Sequence, residues 1–202
     1  MSQLAFNGTC STINPTLATW QELLTDLESR RLADNEVIAS VSFDGDEVIQ
    51  FREAAVLNTP LESLSEVRVE ARAKDDMLRD AMEEAGQYLN NLKTATLDVA
   101  ELFRREKLAE ANPAISQLLE GIKLFVGLLR GIELSLSGIE VAGASVVERS
   151  LNAMGTTLEE QIAAQTALDW MLLADILEYD LLPHLSAFED ILAGFKSRIA
   201  NA

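Results

Sequence analysis

The spacing of apolar residues changes near Arg72, and this change constrains the possible folds more than any other feature of the sequence. Before Arg72 the apolar residues come in short runs with turn signals between them. After it they recur at intervals of three and four almost to the end, which is the spacing of amphipathic helices. The pattern predicts an α+β protein of two domains, residues 1–72 and residues 73–202, joined with almost no linker.

The first domain begins with the signals of a hairpin and a helix. Residues 3–7 form a short apolar run that stops at the tight-turn dipeptide Asn7-Gly8, and residues 9–13 form a β-prone return strand. Residues 14–16, Asn-Pro-Thr, supply a cap and a helix-starting proline. A helix of about four turns is predicted to follow. Its apolar residues repeat at intervals of three and four: Leu17, Trp20, Leu24 and Leu27.

Two further strands are predicted in the first domain. The alternation of residues 37–43 places the odd-numbered side chains on one face of a strand, and Asp44-Gly45 ends it. A short helical turn is predicted over residues 59–64. A final strand with one solvated face follows, because apolar and charged residues alternate over residues 66–72.

This order of hairpin, helix, strand, short helical turn and final strand is similar to that of the β-grasp or ubiquitin-like fold. The resemblance implies a small β-grasp-like module over residues 1–72. Sulfur carriers and protein modifiers of that fold work through a free C-terminal Gly-Gly, whereas here the last strand runs into Arg72-Ala73-Lys74 and the sequence ends with Asn201-Ala202. A passive interaction module is therefore expected instead of a carrier.

The second domain is predicted to be an antiparallel bundle of three long α-helices. The first helix starts near Ala73, and Asn112-Pro113 breaks it and starts the second. The second helix keeps the same heptad spacing as far as Ile139. Both helices carry apolar stripes that must be covered by other parts of the domain.

The third helix is predicted to start at a capping box formed by Thr157 and Glu160 and to run to about Ile199. A loop over residues 143–157 precedes it. Pro183 lies inside this helix and is expected to kink or split it, because proline removes one backbone hydrogen bond.

The apolar surface of the helical domain predicts a homodimer. An antiparallel three-helix arrangement hides one stripe per helix, whereas the second and third helices carry more than one. Gly127 and Gly131 have the small-xxx-small spacing of closely packed helices, and Gly138 lies one heptad beyond. The interface candidates are two glycines and six apolar side chains on the two helices: Gly127, Leu128, Gly131, Trp170, Leu173, Leu177, Leu181 and Phe188.

The net charge of the chain argues against two kinds of partner, and the single cysteine bears on the expected location. The sequence has 33 acidic and 16 basic residues, a net charge of −17, which repels phosphate backbones and anionic lipids, so neither nucleic acid nor a membrane is expected as a partner. Charged residues also interrupt the apolar stretch of the second helix, which argues against a membrane span. One cysteine, Cys10, and an N-terminus without the features of a secretion signal predict a cytoplasmic location.

The one histidine of the chain, His184, excludes metal sites that need several histidines, such as ferritin-like di-iron centres. It shares an apolar stripe with Leu181 and Phe188, which favours a core or interface role over phosphotransfer. Asp175 and Glu178 share a helix face and could bind a hard cation or act in acid–base chemistry. In so acidic a chain, such pairs are typical of a solvated face. No catalytic residue, metal or cofactor is predicted.

The segment over residues 169–183 carries a second resemblance. It runs from Asp169-Trp170 through Leu173-Ala174-Asp175 to Pro183, and it looks like the closing helix of a group of uncharacterised bacterial proteins. Those proteins join a small β-rich N-terminal part to long helices. The resemblance implies the same two-part architecture, and no activity comes with it.

These features favour a non-enzymatic cytoplasmic protein that acts through protein–protein interaction, as an adaptor, scaffold or chaperone, and that dimerises through its helical domain. A chaperone for subunits of a secretion or flagellar system is the sharper form of this hypothesis, because such chaperones shield apolar helices before assembly. The alternative from another class is a signalling phosphotransfer protein or a small enzyme that works through His184.

Overall fold

The computed structural model of the chain describes residues 2–137 and 145–200. The chain divides into two compact units: Met1–Met77 and Leu78–Ala202. Each unit contains its own buried apolar cluster. The predictions that fall outside the described residues concern Gly138, Ile139, the start of the loop over 143–157, and the chain end Asn201-Ala202.

The first unit is a five-stranded mixed sheet with one longer helix and two short helical segments. The strands are β1 Gln3–Phe6, β2 Thr9–Thr12, β3 Glu36–Phe43, β4 Asp46–Glu47 and β5 Glu66–Ala73. The helical segments are α1 Trp20–Arg30, α2 Ala54–Leu57 and a 3₁₀ turn at Leu61–Ser63. The sheet order is β2-β1-β5-β3-β4, with β1 parallel to β5 and the other neighbours antiparallel. The predicted domain boundary after residue 72 lies near the end of β5.

Two tight turns fix the hairpins of this sheet. Asn7 and Gly8 have φ angles of 46° and 76°, and Asp44 and Gly45 have φ angles of 52° and 96°. Positive φ at both central residues is the requirement of a type I′ turn, which matches the twist of antiparallel strands. The hairpin at Asn7-Gly8 is confirmed, and its Asn7 Oδ1 also accepts a hydrogen bond from the Ala71 amide at 2.7 Å. The β3–β4 hairpin was not predicted, because β4 has only two residues.

The predicted start of the first helix is wrong. Residues 14–16 form a turn in which Asn14 Oδ1 accepts a hydrogen bond from the Thr16 amide at 3.1 Å. The helix α1 begins at Trp20, and Thr19 is its N-cap, whose hydroxyl accepts from the amide three residues later at 3.4 Å. The helix therefore starts after a hydroxyl cap at Thr19, and the proline does not mark its first turn.

The predicted buried face of β3 is also corrected. The buried side chains are Ile38 and Val41, which would lie on opposite faces of a regular strand. The register with β5 shifts between Ile38 and Ser40, so Ala39 is an extra residue in β3. This β-bulge turns Ile38 towards the core, and simple alternation fails for that reason.

The second unit is helical. Its elements, beginning with a helix that follows β5 directly, are α3 Lys74–Arg104, α4 Leu108–Ser137, α5 Val146–Thr166, α6 Trp170–Asp175, a π-helical segment Ile176–Leu181, and α7 Leu182–Ala200. The α+β class is therefore confirmed. The predicted third helix is divided, because α5 ends before α6 begins.

The predicted break at Asn112-Pro113 is wrong, because this proline lies inside α4. The helix α3 ends earlier, at Arg104, and Glu106 just beyond it has a φ of 54°. The Lys107 amide donates to the Leu102 carbonyl and the Glu106 amide to the Phe103 carbonyl, each at 3.0 Å. This pair of hydrogen bonds is a Schellman motif, which normally has glycine at the left-handed residue.

The predicted capping box at Thr157 and Glu160 is wrong as well, since Thr157 is buried within α5. The helix starts instead at an earlier capping pattern, Ser-x-x-Glu, formed by Ser145 and Glu148. Ser145 is the N-cap, and its hydroxyl accepts from the Glu148 amide at 3.1 Å. The buried Glu133 carboxylate accepts hydrogen bonds from the Ser145 hydroxyl and, at 2.9 Å, from the amide of the first helical residue. A carboxylate at a helix N-terminus is favourable for both hydrogen bonding and the helix dipole.

A second Schellman motif separates α5 from α6. Leu168 has a φ of 56°, and its amide donates to the Gln165 carbonyl at 3.2 Å. The Asp169 amide donates to the Ala164 carbonyl at 3.0 Å. Asp169 then caps α6, because its Oδ1 accepts from the Leu172 amide at 3.0 Å. A leucine in the left-handed conformation is unusual, and sequence patterns gave no signal for this break.

Pro183 lies in the first turn of α7, directly after the π-helical segment. The regular α-helix is therefore interrupted just before the proline, where the sequence predicted a kink or split. A π-helical turn changes the hydrogen-bond pattern, and the missing N–H of proline is thereby accommodated.

Candidate functional site

The outer face of α4 carries an apolar stripe that the rest of the chain leaves exposed. The α4 stripe consists of five residues at intervals of three and four on one helix face: Leu124, Gly127, Leu128, Gly131 and Leu134. The three leucine side chains are 61%, 38% and 72% exposed. The opposite face of the same helix is buried, so α4 has one face in the core and a second apolar face in solvent.

The glycines of the α4 stripe have no packing role within the described part of the chain. A Cβ atom added at Gly127 or Gly131 would meet no described atom within 4 Å outside its own turn of helix. Gly121 of the same helix is different, because a Cβ there would lie 2.9 Å from the Leu92 side chain. Gly121 therefore permits close packing of α4 on α3, whereas the stripe glycines lower the stability of α4 without a packing gain among residues 2–137 and 145–200.

The α4 stripe also lies in a segment that carries little net charge. Among the exposed residues from 120 to 134, the charged side chains are Glu120, Lys123 and Arg130. Lys123 Nζ lies 3.4 Å from a Glu120 carboxylate oxygen. Two copies of a chain with a net charge of −17 repel each other, and this repulsion is weakest at such a surface.

The structure separates the predicted interface residues into three groups. Gly127, Leu128 and Gly131 lie on the exposed stripe. Trp170 is half-buried and stacks on Phe103, with ring centroids 5.6 Å apart. The other candidates are fully buried in the core of their own unit: Leu173, Leu177, Leu181 and Phe188. These four cannot contact a second copy while the core is intact, because their side chains are fully buried.

The predicted carboxylate pair on the third helix has a different role from the ones expected. Asp175 and Glu178 both bind the guanidinium of Arg104, the last residue of α3. Its Nη2 lies 3.0 Å from Asp175 Oδ1, and the guanidinium lies 5.9 Å from the centre of the Tyr179 ring. The hydrogen bonds to Glu178 and then to Asp175 raise the pKa of Arg104 above its ordinary value. The pair is therefore a clamp between two helices instead of a solvated face.

We expect Arg104→Met to lower the free energy of unfolding by about 1–2 kcal/mol, because it leaves two neighbouring carboxylates without their shared cation. Arg104→Lys keeps the charge and loses the two-pronged geometry, so an intermediate loss is expected. Urea denaturation followed by tryptophan fluorescence measures both. The matched control is Arg105→Met, whose exposed pair with Glu101 contributes within about 0.5 kcal/mol. Equal losses for Arg104→Met and Arg105→Met would contradict the clamp.

His184 is half-buried on α7, one turn from the buried Leu181 and Phe188. Within residues 2–137 and 145–200, no three histidine, cysteine or carboxylate side chains are grouped so that they could hold a metal ion. None of the described helices combines the length and the apolar run that are needed to cross a bilayer.

The helical part of the chain matches the model of a protein family. The model of a family described as Domain of unknown function (DUF8042) matches residues 80–191, more than half of the 202 residues. The chain belongs to the DUF8042 family. The part shared with the family includes the whole α4 stripe and the Arg104 clamp. No match was found among curated proteins or among solved structures.

Two features of this site had no clear signal in the sequence. Arg104 is more than seventy positions from its carboxylate partners, so only the packed helices bring them together. Leu124 completes the α4 stripe, but in an apolar helix the sequence does not indicate which of two apolar faces is exposed. The glycines at 127 and 131 were the usable signal, since glycine inside a helix needs a reason.

Proposed function

We propose that the protein is a non-enzymatic interaction protein that forms a homodimer through the α4 stripe. The observation that carries the proposal is the pair Gly127 and Gly131, which have open space around them on an exposed leucine-rich face. Each glycine costs α4 about 0.5–1 kcal/mol relative to alanine. Close approach of a second α4 across a two-fold axis would offset that cost by burying the leucines.

The dimer has a direct test in the glycines. In Gly127→Ala/Gly131→Ala, each new methyl group separates the paired helices, and the dimer dissociation constant is expected to rise about tenfold or more. The same substitutions are expected to stabilise each protomer by about 0.5–1 kcal/mol per site, because alanine is the better helix former. Light scattering over a range of protein concentrations measures the first effect, and thermal unfolding at a concentration where both proteins are monomeric measures the second.

The matched control is Gly194→Ala on α7. Gly194 is also exposed, and an added Cβ there also meets no atom within 4 Å. The same gain in helix stability is expected, with no change in dimerisation. A 22 kDa particle for the unmodified chain at micromolar concentration, or equal weakening by Gly194→Ala, would count against the α4 dimer.

The proposal gives the first unit the role of an interaction module of β-grasp type. What supports it is the strand order β2-β1-β5-β3-β4 with parallel central strands, together with α1 packed against the sheet. For the helical unit, the finer proposal is an antiparallel pairing of α3 and α4. It is supported by the contact of Gly121 with Leu92 and of Phe125 with Tyr88, where later residues of α4 meet earlier residues of α3.

The proposed setting is the cytoplasm, where the exposed Cys10 thiol would stay reduced. There the dimer would act as an adaptor, scaffold or chaperone for another protein, with a subunit of a secretion or flagellar system as the narrowest form of the idea. No catalytic step is assigned to Asp175 and Glu178, because Arg104 engages both carboxylates.

A further inference from the structure

A groove lies between the second half of α5 and the segment formed by α6 and the π-helix. It encloses a cavity of about 490 Å³. Three alanines form one side, Ala163 and Ala164 of α5 and its C-cap Ala167, and Leu172 and Ile176 form the other. The small alanine side chains leave the space open, so the inner surface of this α5–α6 groove is apolar.

Three carboxylates surround the α5–α6 groove: Glu160, Asp169 and Asp180. All three are exposed, and none of them forms an ion pair with another of the described residues. The sequence explains why, since it has no lysine or arginine from residue 150 to residue 195. Negative charge at the groove is therefore not balanced by neighbouring residues of the same segment.

An apolar shoulder lies beside the groove at the α5–α6 break, where Ala167 and Asp169 line both the groove and a second cavity that Leu168 and Met171 help to form. Leu168 and Met171 are 65% and 56% exposed. Leu168 occupies a left-handed backbone position at which glycine would be less strained, and its side chain gains little burial there. A partner molecule in contact with Leu168 would bury this exposed side chain.

We propose that the α5–α6 groove binds a basic amphipathic segment of a partner protein. The aliphatic stem of a lysine or arginine would lie along the alanines, and its cationic head would reach the carboxylates. Apolar residues one helical turn away in the partner would cover Leu168 and Met171. This assignment goes beyond homodimerisation, which uses the α4 stripe.

Charge and shape select this occupant over the other candidates. A second copy of the chain would bring its own net charge of −17 to an acidic groove. A small polyamine would satisfy the carboxylates and leave Leu168 and Met171 exposed to water. A peptide segment with a basic face and an apolar face matches both parts of the surface.

The test uses a fluorescein-labelled 18-residue peptide with leucines on one helix face and arginines on the other, titrated with the full-length protein in 0.15 M salt. The rim variant is Glu160→Gln/Asp169→Asn/Asp180→Asn, in which asparagine still caps α6. Its matched control is Glu83→Gln/Glu84→Gln/Asp98→Asn, three exposed carboxylates of α3 with the same change in net charge. Fluorescence anisotropy is expected to show about tenfold weaker binding for the rim variant and less than about threefold for the control.

Two further variants test the apolar part of the groove. Ala163→Leu fills the cavity from its exposed side and is expected to weaken peptide binding about tenfold. Leu168→Gly removes the shoulder and relieves the left-handed backbone, so weaker binding together with a higher melting temperature is expected. Variants that bind less while melting at or above the unmodified temperature exclude misfolding as the cause.

Three results would overturn the proposal. Equal weakening by the rim variant and its control would mean that only net charge attracts the peptide. Displacement of the peptide by spermine at similar concentration would identify a small polycation as the ligand. A loss of dimer mass in the rim variant would place a second copy in the groove. Peptide binding by the glycine variant Gly127→Ala/Gly131→Ala separates this inference from the proposed dimer, since the groove is expected to bind whether or not the dimer forms.

Discussion

Replacement of Phe188 by alanine is expected to lower the free energy of unfolding by about 3–5 kcal/mol. Phe188 is fully buried on α7, and its ring meets the Phe125 ring of α4 edge to face, with centroids 5.6 Å apart. Truncation removes this contact and leaves a cavity between helices that are held by the rest of the core. Urea unfolding followed by far-UV circular dichroism measures the loss as a shift of the midpoint.

The control for Phe188→Ala is Phe188→Leu, which keeps most of the buried volume and is expected to cost less than about 2 kcal/mol. Protein concentration supplies a second control. Phe188 was an interface candidate on sequence grounds, and a residue between two protomers would make stability depend on concentration. A core residue gives the same loss at every concentration. An alanine variant that stays folded as a monomer with an unchanged midpoint would restore the interface interpretation.

The interpretation of Phe188 as an interface residue shows what the spacing of apolar residues can and cannot predict. Spacing of three and four correctly predicted that α3, α4 and α7 are amphipathic helices, because burial of one face is a local and repeated requirement. It did not determine whether an additional stripe packs against another helix of the same chain or against another molecule. Leu173, Leu177 and Leu181 are buried in the core of their own unit, whereas Leu124 and Leu128 are exposed.

Turn dipeptides were informative for a related local reason. Asn7-Gly8 specifies positive φ at two successive residues, and few other pairs adopt that geometry without strain. The helix ends at Glu106 and Leu168 use the same left-handed conformation without glycine or asparagine. Their geometry depends on hydrogen bonds that close the preceding helix and on the helices that pack there. The residue types at these positions therefore did not indicate the helix ends.

The helix starts predicted from proline and capping patterns were wrong where tertiary packing determines the helix ends. Pro113 was expected to start a helix, but buried residues on both sides of it keep α4 continuous from Leu108. The Thr157 and Glu160 pattern has the right spacing for a cap and lies in the middle of α5. The earlier pattern at Ser145 is used because the buried Glu133 of α4 binds the same helix end. That partner is twelve positions away and lies outside any local pattern.

The candidate surfaces depend on relations of the same long-range kind. The sequence indicates the acidic pair Asp175 and Glu178, but it does not indicate the break at Leu168 that forms the groove. The carboxylates divide into those that Arg104 binds, Asp175 and Glu178, and those that surround the groove. The sequence alone does not separate these two sets of carboxylates, because Arg104 belongs to a distant helix and reaches its partners only in the folded chain.

Replacement of Trp20 by alanine is the corresponding test in the first unit, and a loss of about 3–5 kcal/mol is expected for that unit. Trp20 is fully buried at the start of α1, with its ring edge-on to Phe43 at 5.4 Å and to Phe51 at 6.5 Å. Its Nε1 donates a hydrogen bond to the Phe51 carbonyl at 2.7 Å. Truncation therefore removes an aromatic cluster and leaves a carbonyl without its donor.

Each unit contains one tryptophan, so the effect of Trp20→Ala on stability can be assigned to one unit. In Trp20→Ala the only remaining tryptophan is Trp170, which lies in the helical unit and stacks on Phe103. We expect the circular dichroism of the β-sheet to be lost at low urea while the Trp170 fluorescence transition moves much less, because each unit has its own buried core. Trp20→Phe keeps an aromatic ring and loses the hydrogen bond, so a smaller loss of about 1–2 kcal/mol is expected. A single transition that shifts equally for both signals would mean that the two units unfold as one cooperative body.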